Sequence, residues 1–173
     1  MNIENALKAC GEWSVQPCEL EWLAYQAARH TCILEVGSWT GASTRALAEN
    51  TTGHVWAVDT WQKYGWEENW TYLEFLRNLM DLKNIHAIRI PSVLAASVVK
   101  GLRYGSLRFD MLFIDGDHAY ESVRDDIAAW FPLLDKGGLV CGHDYNMPQV
   151  ARAVDELIPG ILMGAGCIWH KEI

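Results

Sequence analysis

The sequence predicts a single-domain, doubly wound α/β fold: a mostly parallel sheet with helices on both faces, making three layers. Three observations carry this. Apolar runs of strand length alternate with helical patterns along the whole chain, which is the signature of parallel strands joined by crossover helices. The runs are continuously apolar rather than alternating, as suits strands buried on both faces. They also end repeatedly in glycine or acidic residues, at the rim where open sheets of this kind bind ligands.

The elements follow in order. Residues 19–29 place Leu20, Leu23, Ala24 and Ala27 on one helical face. "CILEVGS" is a strand running into glycine, and "TGASTRALAEN" opens a helix. "HVWAVDT" is the second strand. After a Trp-rich loop, residues 69–82 are helical, with Trp70, Leu73, Leu76 and Met80 spaced for one face. "IHAIRI" is a strand stopped by Pro91, and "VLAASVVKGL" is a helix. "FDMLFID" is the fourth strand. Residues 120–134 carry Val123, Ile127, Trp130, Phe131 and Leu134 at helical spacing, with Pro132 bending or ending the last turn. "KGG" reads as a turn, "LVCGH" as strand five, and "PQVARAVDELI" as a helix with Pro148 in its first turn. "ILMGAGCIWHKEI" reads as a hairpin turning at "GAG".

Bulk properties narrow the function. A chain of 173 residues, 50% hydrophobic, suits one well-packed domain. A net charge of −8 argues against nucleic acid as a partner. No apolar stretch has membrane-span length, and "MNIENALKAC" has no signal pattern. The cysteines at 10, 18, 32, 141 and 167 are odd in number and lack close pairing. They read as reduced thiols of a cytoplasmic protein.

The candidate site lies at the strand ends. "EVGSWTG" puts Gly37 and Gly41 in the turn between strand and helix, with Glu35 just upstream. Asp59 ends the next strand 22 residues after Gly37, where a carboxylate would accept hydrogen bonds from ribose hydroxyls. Trp39 stands where a dinucleotide loop would have its middle glycine, which favours a nucleoside over a pyrophosphate. Strand four runs into Asp115, Asp117 and His118, and strand five into His143 and Asp144. An imidazole is the usual general base at neutral pH, so His143 and His118 are the catalytic candidates. The alternative for both is a turn residue bonded to a neighbouring carboxylate. Asp117 reads as a cap for the following helix.

The segments "ILEVGSWTGAST", "VWAVDTW", "FIDGDHAYESVRDDIAAW", "LLDKGGLVCGHDY" and "VARAVDEL" together resemble class I S-adenosylmethionine-dependent methyltransferases. The likeness is to the small-molecule O-methyltransferase group that includes macrolide and rhamnosyl O-methyltransferases and cephalosporin-hydroxylase-like proteins. It spans about residues 33–157, in the family's order. The resemblance implies a Rossmann-like sheet of seven strands with a C-terminal antiparallel strand, and S-adenosyl-L-methionine as cofactor. It places Gly37 and Gly41 along the methionine part, Asp59 on the ribose, Thr60 and Trp61 beside ribose and adenine, and Ser92 at the adenine. Asp115 would meet the cofactor amine or a metal. In metal-dependent relatives two further ligands end strand five, where this chain has His143-Asp144. Mg2+ prefers all-oxygen ligands, whereas a transition metal accepts histidine. His143 and Asp144 both aim into one pocket only if the backbone turns between them.

Trp61, Trp66 and Trp70 fall in one stretch, "TWQKYGWEENW", with polar residues between the rings. Such rings suit stacking on a substrate sugar or flat ring, with core packing as the alternative. The acceptor expected is a small-molecule hydroxyl on a sugar, phenol or natural-product intermediate. The N-terminal helices, about residues 2–29, are expected to cover the site or to form a homodimer. The other function classes are a nicotinamide-dependent oxidoreductase, which Trp39 disfavours, and a non-catalytic binding protein on the same fold.

Overall fold

The computed structural model describes residues 1–9, 15–62, 70–101 and 107–173. Cys10, Trp66 and Leu102 lie outside them. Two helices, α1 (Glu4–Ala9) and α2 (Pro17–Ala27), precede β1 (Cys32–Val36), α3 (Ala42–Asn50) and β2 (His54–Val58). Then come α4 (Trp70–Leu79), β3 (Ile85–Ile88), α5 (Ser92–Gly101), β4 (Phe109–Ile114) and α6 (Tyr120–Trp130). A 3-10 turn (Phe131–Leu133), β5 (Leu134–Gly142), α7 (Pro148–Leu157), β6 (Leu162–Met163) and β7 (Trp169–Glu172) complete the chain.

The seven strands lie in the order β3-β2-β1-β4-β5-β7-β6. β1 to β5 pair in parallel, and β7 runs antiparallel to both β5 and β6. Strand alternation sorts the core into two layers. Leu34, Val36, Leu112, Ile114 and Val140 face α5, α6 and α7, around fully buried Trp130 and Trp169. Ile33, Val55, Met111, Phe113 and Cys141 face the other way, against α2 and α3. Strand order reverses between β1 and β4, so the crevice beyond their carboxyl ends is the expected ligand position. By the same alternation Asp115 and His143, each one step past its strand, point toward α2.

Four local expectations change. The helix over 120–134 ends at Trp130, because Pro132 has no N–H to continue it, and residues 131–133 tighten into the 3-10 turn. "KGG" is not a turn but part of β5. Gly137 takes φ 81 there, and the pairing with β4 shifts register between Phe109 and Met111. The third change is the face of α4. Leu73 and Met80 are 58% and 81% exposed, and Leu76 is exposed too, while Thr71, Phe75 and Leu79 are buried. The reason is Trp61, whose ring needs a wide apolar partner and packs on Phe75 at 4.6 Å. Satisfying it rotates the helix away from the stripe that simple spacing suggests. The closing hairpin turns over residues 164–168, longer than "GAG" alone.

Candidate active site

The β1–α3 loop and Asp59 form one hydrogen-bonded unit. Oδ2 of Asp59 accepts from the backbone N–H of Ser38 at 3.0 Å and of Trp39 at 2.9 Å, and Oδ1 accepts from Trp61 N–H at 2.7 Å. Two of those donors belong to residues at positive φ, Trp39 at 45° and Trp61 at 47°. Such conformations are rare for bulky side chains and cluster at ligand-binding loops. Gly37, at φ 87, brings β1 against β4: a Cβ there would lie 1.9 Å from the carbonyl oxygen of Asp115. Gly41 caps the start of α3.

Glu35 is fully buried beneath this loop. Its Oε2 accepts from Ser38 Oγ at 2.6 Å and from Thr44 Oγ1, while Oε1 has no partner. Burial raises its pKa above the usual carboxylate range, against the hydrogen bonds from Ser38 and Thr44.

The second half of the site is a cluster of acids and histidines at the ends of β4 and β5. Asp144 takes φ 57, so the backbone does turn after His143, and both side chains enter one cleft. Asp115, His118, His143 and Asp144 line it over Val123 and Trp169. His143 Nδ1 lies 3.3 Å from Asp144 Oδ2 and 3.6 Å from Asp115 Oδ1. Its Nε2 lies 3.0 Å from Glu19 Oε1, an ion-pair distance although out of line for a well-formed hydrogen bond. His118 Nε2 meets Asp144 Oδ2 at 2.8 Å, with its side chain 49% exposed.

Electrostatics assign these groups different charges. Burial opposes a charged His143, but its contacts with Asp144 and Glu19 and the charge of Asp115 outweigh this and push it up to about 11. Burial raises the Asp115 carboxyl well above its ordinary range; His143 opposes this, and Asp144, Glu35 and Glu19 add to it. The carboxylates nearest the His143 ring are Asp144 at Nδ1 and Glu19 at Nε2. His143 holds Asp144 below its usual value, and Glu19 is lowered despite burial by His143 and two backbone donors. With a carboxylate at each of its nitrogens, the His143 ring is engaged on both sides within the protein. His118, held by Asp144 through Nε2 alone, keeps its other ring nitrogen.

The remaining expected site residues sort clearly. Thr60 sits beside Asp59 and accepts from Gln62 N–H at 3.3 Å. Trp61 is not offered to a substrate or cofactor ring: it is 2% exposed, packed by Tyr72 and Phe75, with its indole N–H on the Trp39 carbonyl. Trp70 is half-buried and meets Trp39 edge-on at 5.7 Å. Ser92 Oγ accepts from Trp130 Nε1 at 2.8 Å and donates to Asp126, so its hydroxyl is committed within the protein. Asp117 serves the start of α6, accepting from Ala119 N–H and Ser122 Oγ. The residue that sequence reasoning missed is Glu19. Its only local signal is its place three residues after Gln16, which reads as helix capping.

Among the described residues, Asp115, His118 and Asp144 offer ligand atoms all within 4.8 Å of one another, a set able to hold a metal ion. The expected set of Asp115, Asp144 and His143 differs, because His143 turns its nitrogens to Glu19 and to the two aspartates. No helix among the described residues is long and apolar enough to cross a membrane, and the four described cysteines are free thiols.

Comparison with known proteins bears on the family and the fold. A family described as "Methyltransferase domain" matches residues 34–145. Protein R132 of Acanthamoeba polyphaga mimivirus is 28% identical over 152 residues, covering 81% of this chain and 65% of that protein. The chain thus spans less than two thirds of that relative's length. The O-methyltransferase from Bacillus cereus in complex with SAH superposes with a TM-score of 0.74 at 17% identity, over 98% of this chain and 87% of that one. CalS11, a TDP-rhamnose 3'-O-methyltransferase of calicheamicin biosynthesis, gives 0.65 at 12% identity, over 89% and 76% of the two chains. The matched segment holds the glycine loop, Asp59, Asp115 and the β5 corner in one pattern, and the chain belongs to the methyltransferase-domain family.

Proposed function

We propose that this protein transfers the methyl group of S-adenosyl-L-methionine to a hydroxyl of a small molecule. The observation that carries the reading is a nucleoside-type loop tied to Asp59, set beside an Asp115–His118–Asp144 cleft across the β1/β4 switch point. Two features suit the cofactor. A carboxylate has about four lone-pair positions. Asp59 uses three on backbone donors, which leaves one for a ribose hydroxyl. Glu35 Oε1, buried and unpartnered, would accept from an ammonium group or from a water it holds.

When bound, S-adenosylmethionine supplies an electrophilic methyl group on a sulfonium sulfur. The chain's own task is to orient the acceptor hydroxyl and remove its proton. His118 fits the base role: Asp144 fixes one ring nitrogen, and the exposed side chain can offer the other to the acceptor. His143 instead acts as a fixed cation that holds Asp144 and Asp115 in place. The likeness to an enzyme of a rhamnose hydroxyl supports a sugar among the acceptor classes, with phenols and other natural-product hydroxyls.

The metal set favours a second reading. Asp115, His118 and Asp144 would hold a divalent ion, whose chemistry would be to polarise the acceptor oxygen. The imidazole suits a transition metal better than magnesium.

Calorimetry with S-adenosylhomocysteine and NAD, followed by transfer of radiolabelled methyl to a panel of sugar and phenol hydroxyls, tests the proposal. Binding of S-adenosylhomocysteine with label in an acceptor is expected. Binding of NAD instead would turn the reading to an oxidoreductase, and binding of neither to a non-catalytic protein.

A further inference from the structure

We infer that Glu19, carried by the N-terminal helix α2, is a positioning residue for the His143–Asp144 corner, and that α2 and the C-terminal hairpin are working parts of the site. The inference rests on the methyl-transfer reading only for its consequence in turnover. Glu19 and its hairpin partner Cys167 both lie outside the matched family segment, residues 34–145.

Glu19 is 1% exposed and surrounded by donors. Its Oε2 accepts from Gln16 N–H at 2.6 Å, and its Oε1 accepts from Cys167 N–H at 2.8 Å and faces His143 Nε2 at 3.0 Å. A helix cap needs only the first contact. The other two reach across 148 residues to the hairpin and across the sheet end to β5. The hairpin is shaped around this carboxylate: a Cβ on Gly166, at φ 55, would lie 2.2 Å from Glu19 Oε1. One turn along the same helix, Trp22 packs so close to Gly164 that a Cβ there would lie 2.9 Å from its ring.

The contacts close a circuit. Cys167 donates its N–H to Glu19 and accepts from Tyr145 N–H at 3.1 Å through its carbonyl. Tyr145 directly follows His143-Asp144. Glu19 thus holds the corner by its His143 side chain and, through Cys167, by its backbone. His143 Nε2 is buried, and Glu19 is the carboxylate it faces. With Nε2 fixed there, Nδ1 is left facing Asp115 and Asp144, and Asp144 in turn holds His118. A glutamine would fit the space but would offer one acceptor oxygen where two are used, with its amide nitrogen against a backbone donor.

Long-range 1H–15N spectra of the histidine rings test this without any acceptor. The wild type should show a His143 Nε2–H protected from exchange. In Glu19→Gln and in Glu19→Met that protection should be lost, with His54 and His86 unchanged as internal controls. S-adenosylhomocysteine affinity should stay within about threefold, and turnover on an acceptor found by the radiolabel screen should fall at least about tenfold. A His143 ring spectrum identical to wild type in the folded Gln variant would overturn the inference and leave Glu19 as a helix cap. Should Glu19→Met fail to fold, Glu19→Gln decides alone. Failure of the wild type to bind S-adenosylhomocysteine would count against methyl transfer, while the ring spectra would still judge the positioning.

Discussion

Asp126 offers a stability test that does not depend on the chemistry of the site. It lies on the inner face of α6, 7% exposed, where Ser92 Oγ donates to it and Trp130 Nε1 donates to Ser92 in turn. No cation among the described residues is one of its partners. Burial pushes its carboxyl up from 3.8 to about 6, opposed by the Ser92 hydrogen bond and aided by Asp125 and Asp117. A folded-state value above the unfolded one means the folded state favours the proton. The associated stability is complete only well below 3.8 and is lost as pH rises from there through about 6. A shift of about 2 units at about 1.4 kcal/mol each makes the penalty about 3 kcal/mol at pH 8, about half that at pH 5, and roughly 0.5 kcal/mol at pH 4. Asp126→Asn keeps an acceptor for Ser92 and removes the charge. It should stabilise the protein at pH 8, raising the melting temperature by about 6–12 °C for a chain of this size, with the gain shrinking toward pH 4. Differential scanning calorimetry of both proteins from pH 4.5 to 8 measures it. A variant less stable than its parent at pH 8, or a gain independent of pH, would refute the reasoning.

Other expectations follow from single contacts. Asp59→Asn sets an amide nitrogen against backbone donors, so it should lower stability by about 1–3 kcal/mol in urea melts and weaken S-adenosylhomocysteine binding at least about tenfold. Unchanged affinity by calorimetry would remove Asp59 from the ribose. Gly37→Ala forces a Cβ to 1.9 Å from the Asp115 carbonyl; a loss above about 4 kcal/mol, or no soluble protein, is expected. His143→Ala leaves the buried Glu19 carboxylate without its cation and should destabilise by about 3–5 kcal/mol in chemical denaturation. His118→Ala should instead leave stability nearly unchanged and slow methyl transfer by about 100-fold or more. If manganese binds at Asp115, His118 and Asp144, its bound electron paramagnetic resonance signal should vanish in Asp144→Asn. Full turnover in chelator would limit those residues to acid–base and positioning roles.

The sequence alone determined the parts of this protein that arise from local chemistry. Continuous apolar runs marked β1, β2 and β4 as strands buried on both faces, whereas β3, at the sheet edge, is only partly buried. Glycine at 37 and 41 marked the loop, and Asp59, Asp115, His143 and Asp144 stood out because charges directly after buried strands must lie at the rim. Even the corner at Asp144 was legible as a condition, since two successive side chains share a face only if the backbone turns. What the tertiary structure decided are relations between distant segments whose partners local periodicity does not name. The buried face of α4 follows from the Trp61 ring, not from the helix's own stripe. "KGG" becomes strand because the C-terminal residue pairs with it, Gly137 N–H donating to Ile173 and Ile173 N–H to Gly138. The contact of Glu19 with His143 is of the same kind: Glu19 is an unremarkable acid in a capping position until α2 packs beside the strand ends. Burial then multiplies the effect: a contact worth little in water becomes strong where no solvent competes, and no residue carries that information by itself.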